Sequence, residues 1–202
     1  MPYSDFDLRT VKQALGVRIV EREGVFAGID GVDISATLAD MLAETIPLAR
    51  AINTEKARSE LIISLLVVEV RKLLGHRISL FSGIEFNVDK TQGLNGLCDF
   101  IISASAEQLM LSSPIIAVVE AKNENIIGGL GQCIAEMVAA GMFNAAENNH
   151  DIKKLYGAVT TGTAWKFLRM ERLEVVIDLD EYMIDNPQKI IGIFLAMLRQ
   201  AA

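Results

Sequence analysis

Asp99 and the triplet Glu120-Ala121-Lys122 are the residues whose types and spacing could do chemistry. Asp99 lies in the apolar run Leu97 to Ile102, and Glu120 and Lys122 end the run Ile115 to Lys122. Both runs read as strands. Side chains alternate faces along a strand, so Glu120 and Lys122 point the same way, about 7 Å apart. Charges at the end of an apolar, doubly covered strand are costly to bury unless something pairs with them. Two carboxylates converging beside a lysine form an oxygen-liganded site for a hard cation, open on one side. The competing reading is a solvated, salt-bridged strand edge, with Asp99 pairing Lys122 for structure alone. Strand interiors disfavour aspartate, which weighs against that reading for Asp99.

The elements that must position these residues follow from local pattern. Thr54 caps a long helix to about Leu74, closed by Gly75. Its stripe Ala57, Leu61, Ser64, Val68 is expected to face the core and carries Glu60 with it. Ile78 to Asp89 reads as a strand with a bend at Gly83, and Gln92 to Gly96 as a turn into the Asp99 strand. Ala104 to Pro114 is a connector in which Ala106 to Leu111 could form a helical turn. Ile126 to about Glu147 is a helix rich in Ala and Gly. Gln132 and Glu136 share one face of it. Gly128, Gly129 and Gly131 lack a Walker or dinucleotide pattern, so close helix–sheet packing explains them better. Tyr156 to Thr161, Trp165 to Met170 and Leu173 to Leu179 are further strands, the last two a hairpin. Asn186-Pro187 starts a final helix. Residues 1–53 read as an accessory helical layer, with helices at Asp5 to Leu15 and from Asp33 or Ser35 to about Ala51, bent at Pro47. Arg18 to Glu21 could be a strand.

The 202 residues suit a single α/β domain: accessory layer 1–53, core 54–170, and a C-terminal strand and helix over 171–202. Hydrophobic residues make up 51% and aromatics 6%, so the core is aliphatic. The net charge of −7 argues against a generally sticky nucleic-acid binder, leaving any such contact to a local basic patch. Cys98 and Cys133 each lie in apolar sequence and read as buried, reduced thiols. His76 and His150 stand alone, with no zinc-ligand spacing. The polar start Met1 to Asp5 carries no signal-peptide pattern, and apolar runs such as Leu61 to Val68 end at charges. A cytoplasmic protein without a membrane partner is expected.

From Thr54 to Met170 the chain resembles the PD-(D/E)XK nuclease superfamily. The resemblance rests on Asp99 in the second core strand and Glu120-Ala121-Lys122 ending the third. Glu60 in the first helix and Gln132 in the helix after the motif complete it. Val119 to Asn123, Gln132 and Thr160 to Trp165 look most like the nuclease domain of Type I restriction motor subunits and their stand-alone relatives. Two positions depart from that pattern: Glu136 stands where an aromatic is usual, and Cys98 where proline usually precedes the aspartate. The resemblance implies a restriction-endonuclease-like core: helix, three-strand antiparallel meander, helix, parallel strand. It implies magnesium, with manganese as a substitute, held by Asp99, Glu120 and Glu60. Lys122 would position water or stabilise phosphorane charge, and Gln132 would orient Lys122 or hold a phosphate. The function implied is metal-dependent endonuclease hydrolysis of nucleic acid, DNA ahead of RNA.

Two other functions remain open: an inactive interaction or scaffold module on the same fold, and a hydrolase of small phosphate esters. The basic residues discriminate. Arg71, Lys72, His76, Arg77, Lys153, Lys154, Lys166, Arg169 and Arg172 support nucleic-acid binding only if they line the cleft that holds Asp99. Trp165 could stack on a base, although a lone tryptophan after a strand is commonly core. The final helix, apolar from Ile190 to Leu198 over much of its circumference, needs a second cover. Either the N-terminal layer or the partner of a homodimer would supply it.

Overall fold

A computed structural model describes residues Pro2–Arg199. A short 3-10 turn, Tyr3–Asp5, precedes α1, Leu8–Leu15, which carries a reciprocal capping box between Asp7 and Thr10 and ends at left-handed Gly16. β1 is Arg18–Arg22, and α2 is Ala36–Ile52, capped by Ser35 and continuous through Pro47. Glu55–Arg58, the π-helical segment Ser59–Ile63 and Ser64–Leu73 run on as one helix, α3. Then come β2 (Ser79–Glu85), β3 (Leu97–Ser103), β4 (Ile115–Ala121) and α4 (Ile126–Ala146). β5 (Lys154–Thr160), β6 (Ala164–Glu171), β7 (Glu174–Asp178), β8 (Tyr182–Met183) and α5 (Pro187–Arg199) complete the described chain. Ala106 to Leu111 contains no helical turn.

Among the described residues, all strands join one mixed sheet of eight, ordered β1-β7-β6-β5-β4-β3-β2, with β8 paired to β6. β2, β3 and β4 form an antiparallel meander. The α4 crossover then returns β5 parallel to β4, as a helical connection requires. β5, β6 and β7 are antiparallel. The fold is therefore α/β, with the expected order of helix, three-strand meander, helix and parallel strand. β4 is buried at every position, as befits a central strand covered on both faces.

The described residues of the expected 1–53 layer, 2–53, do not form one layer. Tyr3, Phe6, Val11 and Leu15 join α4 in the apolar cluster on one sheet face. Leu38, Leu42 and Ala49 of α2 join α3 and α5 on the other. β1 lies between them as an edge strand parallel to β7. The chain reverses faces by passing around the sheet edge, which a helical layer could not do.

α5 is covered within the chain. Ile190, Ile191, Ile193, Phe194, Leu195, Met197 and Leu198 are buried. Gly192 lies so close to Asp30 that a Cβ there would sit 2.2 Å from its carbonyl oxygen. Lys189 Nζ donates to the carbonyls of Phe26, Ala27 and Ile29 and ties that loop down. The second apolar face thus needs no second subunit. α4 is long and apolar enough to cross a membrane by composition, but 67% of its most apolar window is buried inside the molecule, against β4 and β5.

Candidate active site

The meander places the two central carboxylates opposite each other. The β3–β4 register pairs Phe100 with Val119, so the next position sets Asp99 against Glu120. Opposed residues of an antiparallel pair share a face, so both point toward α4. Asp99 Oδ2 accepts the Ala121 N–H at 2.7 Å, where the side chain takes the place of a ladder carbonyl as the β3–β4 pairing ends. This is why an aspartate is tolerated inside an apolar strand. On the other side of β4, the Lys122 N–H donates to Thr160 O at 2.8 Å, extending the β5 pairing by one residue.

Lys122 Nζ pairs with Glu120 Oε1 and also donates to Gln132 Oε1 at 3.2 Å. Gln132 Nε2 in turn donates to Glu136 Oε1 at 3.1 Å. Glu120 and Glu136 lie within reach of a shared proton, which closes the circuit Lys122, Gln132, Glu136, Glu120. With both carboxyls ionised, Glu120 Oε2 and Glu136 Oε2 are buried and have no donor. Glycine at position 129 permits this proximity. A Cβ there would lie 2.7 Å from Val159 Cγ1 and 3.0 Å from Lys122 Cγ. Of the three α4 glycines singled out above, only Gly129 meets the sheet. Gly131 packs on the Phe6–Asp7 backbone and Gly128 on Asn125.

The electrostatics record too much negative charge for one ammonium. Burial first, then the Asp99 charge, pushes the Glu120 carboxyl up to about 8 despite its pairing with Lys122. Burial, then Glu120, holds Glu136 well above the carboxylate range. Burial also raises Asp99, with its bond from Ala121 and the Lys122 charge acting against it. For Lys122, burial works to lower the pKa, but Glu120, Glu55 and Asp99 outweigh it and the net shift is upward. The thiols of Cys98 and Cys133 are free, buried and raised, first by burial and then by Glu136.

Glu60 is not part of this cluster. Its side chain is 60% exposed and pairs with Lys56 at 3.0 Å. The cause is the π segment. An extra residue in that turn moves the buried stripe one position on, to Ala57, Ile62, Ile63, Leu66, Val67 and Val70, and leaves Val68 54% exposed. The Ser64 N–H reaches back to Ser59 O, and the Ser64 hydroxyl fills the vacated Glu60 carbonyl. The α3 carboxylate that does act on Lys122 is Glu55, the residue after the Thr54 cap. Arg58, also not singled out from sequence, donates to Thr161 O at 2.9 Å and to Asn53 Oδ1 at 2.9 Å, fixing α3 to the β5–β6 turn beside the site. Trp165 is core: fully buried, it donates to Gly162 O and packs on Phe167 and Phe194.

The donor set fits a hard cation. Glu120 Oε2 is a buried carboxylate oxygen with no hydrogen-bond donor, and Asp99, half-buried, stands opposite Glu120 across the β3–β4 pair. Among the described residues no three His, Cys, Asp or Glu side chains enclose a single point. Magnesium commonly takes one or two carboxylates and leaves its other positions to water and substrate. A cavity of about 710 Å³ between the C-terminal part of α4 and the β5–β6–β7 edge contains none of these residues.

The basic residues cluster elsewhere. α3 is about 28 Å long; Arg71 and Lys72 lie in its last turn and His76 and Arg77 just beyond it, while Glu55 sits at the near end. Lys153, Lys154 and Arg172 lie at the opposite end of β5 and β6 from Thr160. Lys166 is buried, its Nζ donating to the carbonyls of Asp178, Leu179 and Asp180. No family model, curated protein or solved structure matches the chain, so its own geometry carries the functional argument.

Proposed function

We propose that the chain is a PD-(D/E)XK-type, metal-dependent phosphodiesterase acting on nucleic acid, with Asp99, Glu120, Lys122 and Gln132 as its working residues. The observation that carries this reading is the opposition of Asp99 and Glu120 at one strand end, bonded through Lys122 to Gln132. A divalent cation held by Asp99 and Glu120 would supply Lewis acidity toward a phosphodiester oxygen. Asp99 keeps its place by accepting from Ala121, so one of its oxygens is already oriented. Lys122, 24% exposed, is the group that meets the substrate: its ammonium donates to a phosphate oxygen or holds the attacking water. Gln132 limits where that ammonium can go. Cutting both strands of a duplex would take two copies of the chain, and sedimentation with and without DNA measures that.

The test is cleavage of single-stranded DNA, duplex DNA and RNA with magnesium or manganese. Asp99→Ala and Lys122→Ala should each lower the rate by at least about a hundredfold, the scale of losing one electrostatic group. The absence of cleavage on every substrate would sink the reading.

The second reading, an interaction module, is favoured by one observation: the exposed cations Lys72, Arg77, Lys153 and Arg172 lie at the sheet end remote from Asp99. It predicts nucleic-acid or protein binding that is indifferent to Asp99→Ala.

A further inference from the structure

We propose that Glu136 is a positioning residue: it fixes the Gln132 amide so that the carbonyl oxygen, not the NH2, faces Lys122. The catalytic consequence rests on the hydrolase reading; the positioning itself does not.

An ammonium has only donors. To hold Lys122, Gln132 must present Oε1, as it does at 3.2 Å. A glutamine amide is nearly symmetric in shape, and the flipped form would set NH2 against NH3+. Whatever meets the other end of the amide therefore decides which form exists. Glu136 Oε1 meets it, accepting from Nε2 at 3.1 Å. A carboxyl keeps a carbonyl acceptor whether or not it carries a proton, so the choice does not depend on its ionisation. The two residues are four apart on α4 and share its inward face, with the amide between Glu136 and Lys122.

Burial makes this arrangement specific. Glu136 is fully buried, so it cannot be an ordinary polar position on a solvated helix face. The Phe6–Asp7 backbone covers α4 at Gly131, where a Cβ would lie 2.4 Å from the Asp7 carbonyl carbon. Gly129 lets Lys122 pass along the same helix. A buried acid is an expensive way to fill a core position that a leucine would fill well. Its use here follows from the need for an acceptor at the far end of the Gln132 amide.

The experiment measures Lys122 directly and needs no substrate. The full chain is labelled competitively with acetic anhydride at pH 8, and modification of Lys122 is read by mass spectrometry against exposed lysines such as Lys56. Glu136→Leu should raise Lys122 labelling roughly tenfold, the scale of one hydrogen bond to a charged group. Glu136→Gln keeps the acceptor and should label like wild type. Gln132→Leu should match Glu136→Leu, and the double variant should add nothing, since both remove the same restraint. Circular dichroism checks the fold, and Glu136→Met takes the place of Leu if the leucine variant fails to fold. Wild-type labelling in a folded Leu or Met variant overturns the proposal. So does Glu136→Gln labelling as fast as Leu, or additive effects in the double variant. If wild type cleaves phosphodiesters, kcat should fall with Glu136→Leu and return with Glu136→Gln. If it cleaves nothing, the hydrolase reading fails while the labelling result still decides the role of Glu136.

Discussion

At the residue scale, the site is an imbalance of charge. Asp99, Glu120 and Glu136 crowd around one ammonium, and all three carboxyls are raised, burial being the first cause. The consequence for stability has a definite sign. Glu120 titrates near 8 in the fold against about 4.5 unfolded, so between those values the native state holds the extra proton. Its contribution to stability is fully present below about 4.5 and is lost as pH rises through 8. Without divalent ions, Tm should fall from pH 5.5 to pH 9, and Glu120→Gln should flatten that fall. Magnesium should restore Tm most at the alkaline end, because a cation replaces the proton. Thermal scans across this range measure all three effects, and a Tm that rises with pH would contradict the arrangement. Asp7 and Asp89, whose pKa values are lowered by hydrogen bonds in turns, act only below this window.

At the element scale, two local irregularities set the geometry. The π segment of α3 turns Glu60 out to Lys56, while the Glu55 charge acts on Lys122 from the first turn. Gly129 lets α4 lie against the end of β4. Alanine in a helix gains about 1 kcal/mol over glycine, but overpacking costs about 1–3 kcal/mol. Here the added carbon would meet Val159, fully buried and branched, at 2.7 Å, so the clash should win. Gly129→Ala is expected to lower stability by about 1–2 kcal/mol in urea unfolding. It should also weaken magnesium binding by pushing the Lys122 stem aside. A stabilised variant would show that the helix can move away from the sheet at little cost.

At the scale of the whole molecule, the acidic cluster and a group of exposed cations occupy opposite ends of the sheet. The acidic cluster occupies the sheet end formed by Asp99, Glu120 and Thr160. Lys153 and Arg172 lie at the other, about 20 Å away along β5. That exceeds the screening length of about 10 Å at 0.1 M salt. Reversing both charges, Lys153→Glu with Arg172→Glu, should leave any divalent-dependent cleavage within about twofold at that salt. A tenfold loss would mean that the strand, or a second copy of the chain, reaches across both ends. The 710 Å³ cavity shares this remote end with His150, Lys153 and Arg172.

Local pattern determined much of this protein. Capping and turn residues marked helix ends: Ser35 and Thr54 at N-termini and Gly16 and Gly75 at C-termini, whereas the Asp7 cap of α1 came only from the structure. Alternation and apolar runs marked the strands. The order of elements then required an antiparallel meander followed by a parallel return, because short links and a helical crossover permit little else. The shared face of Glu120 and Lys122 followed from the strand period of 2, whereas the β3–β4 register that sets Asp99 opposite Glu120 came from the structure. Helix faces were less legible. A single inserted residue in α3 rotated Glu60 away, and no residue type announces a π turn. Only tertiary packing decided that Glu136 is fully buried. Spacing shows that it shares a face with Gln132, but not that the N-terminal segment closes over α4. Distribution of charge was equally silent: nineteen lysines and arginines in the chain do not say which end of the sheet they will occupy. Contacts between segments far apart in sequence set those outcomes, and local pattern carries no record of them.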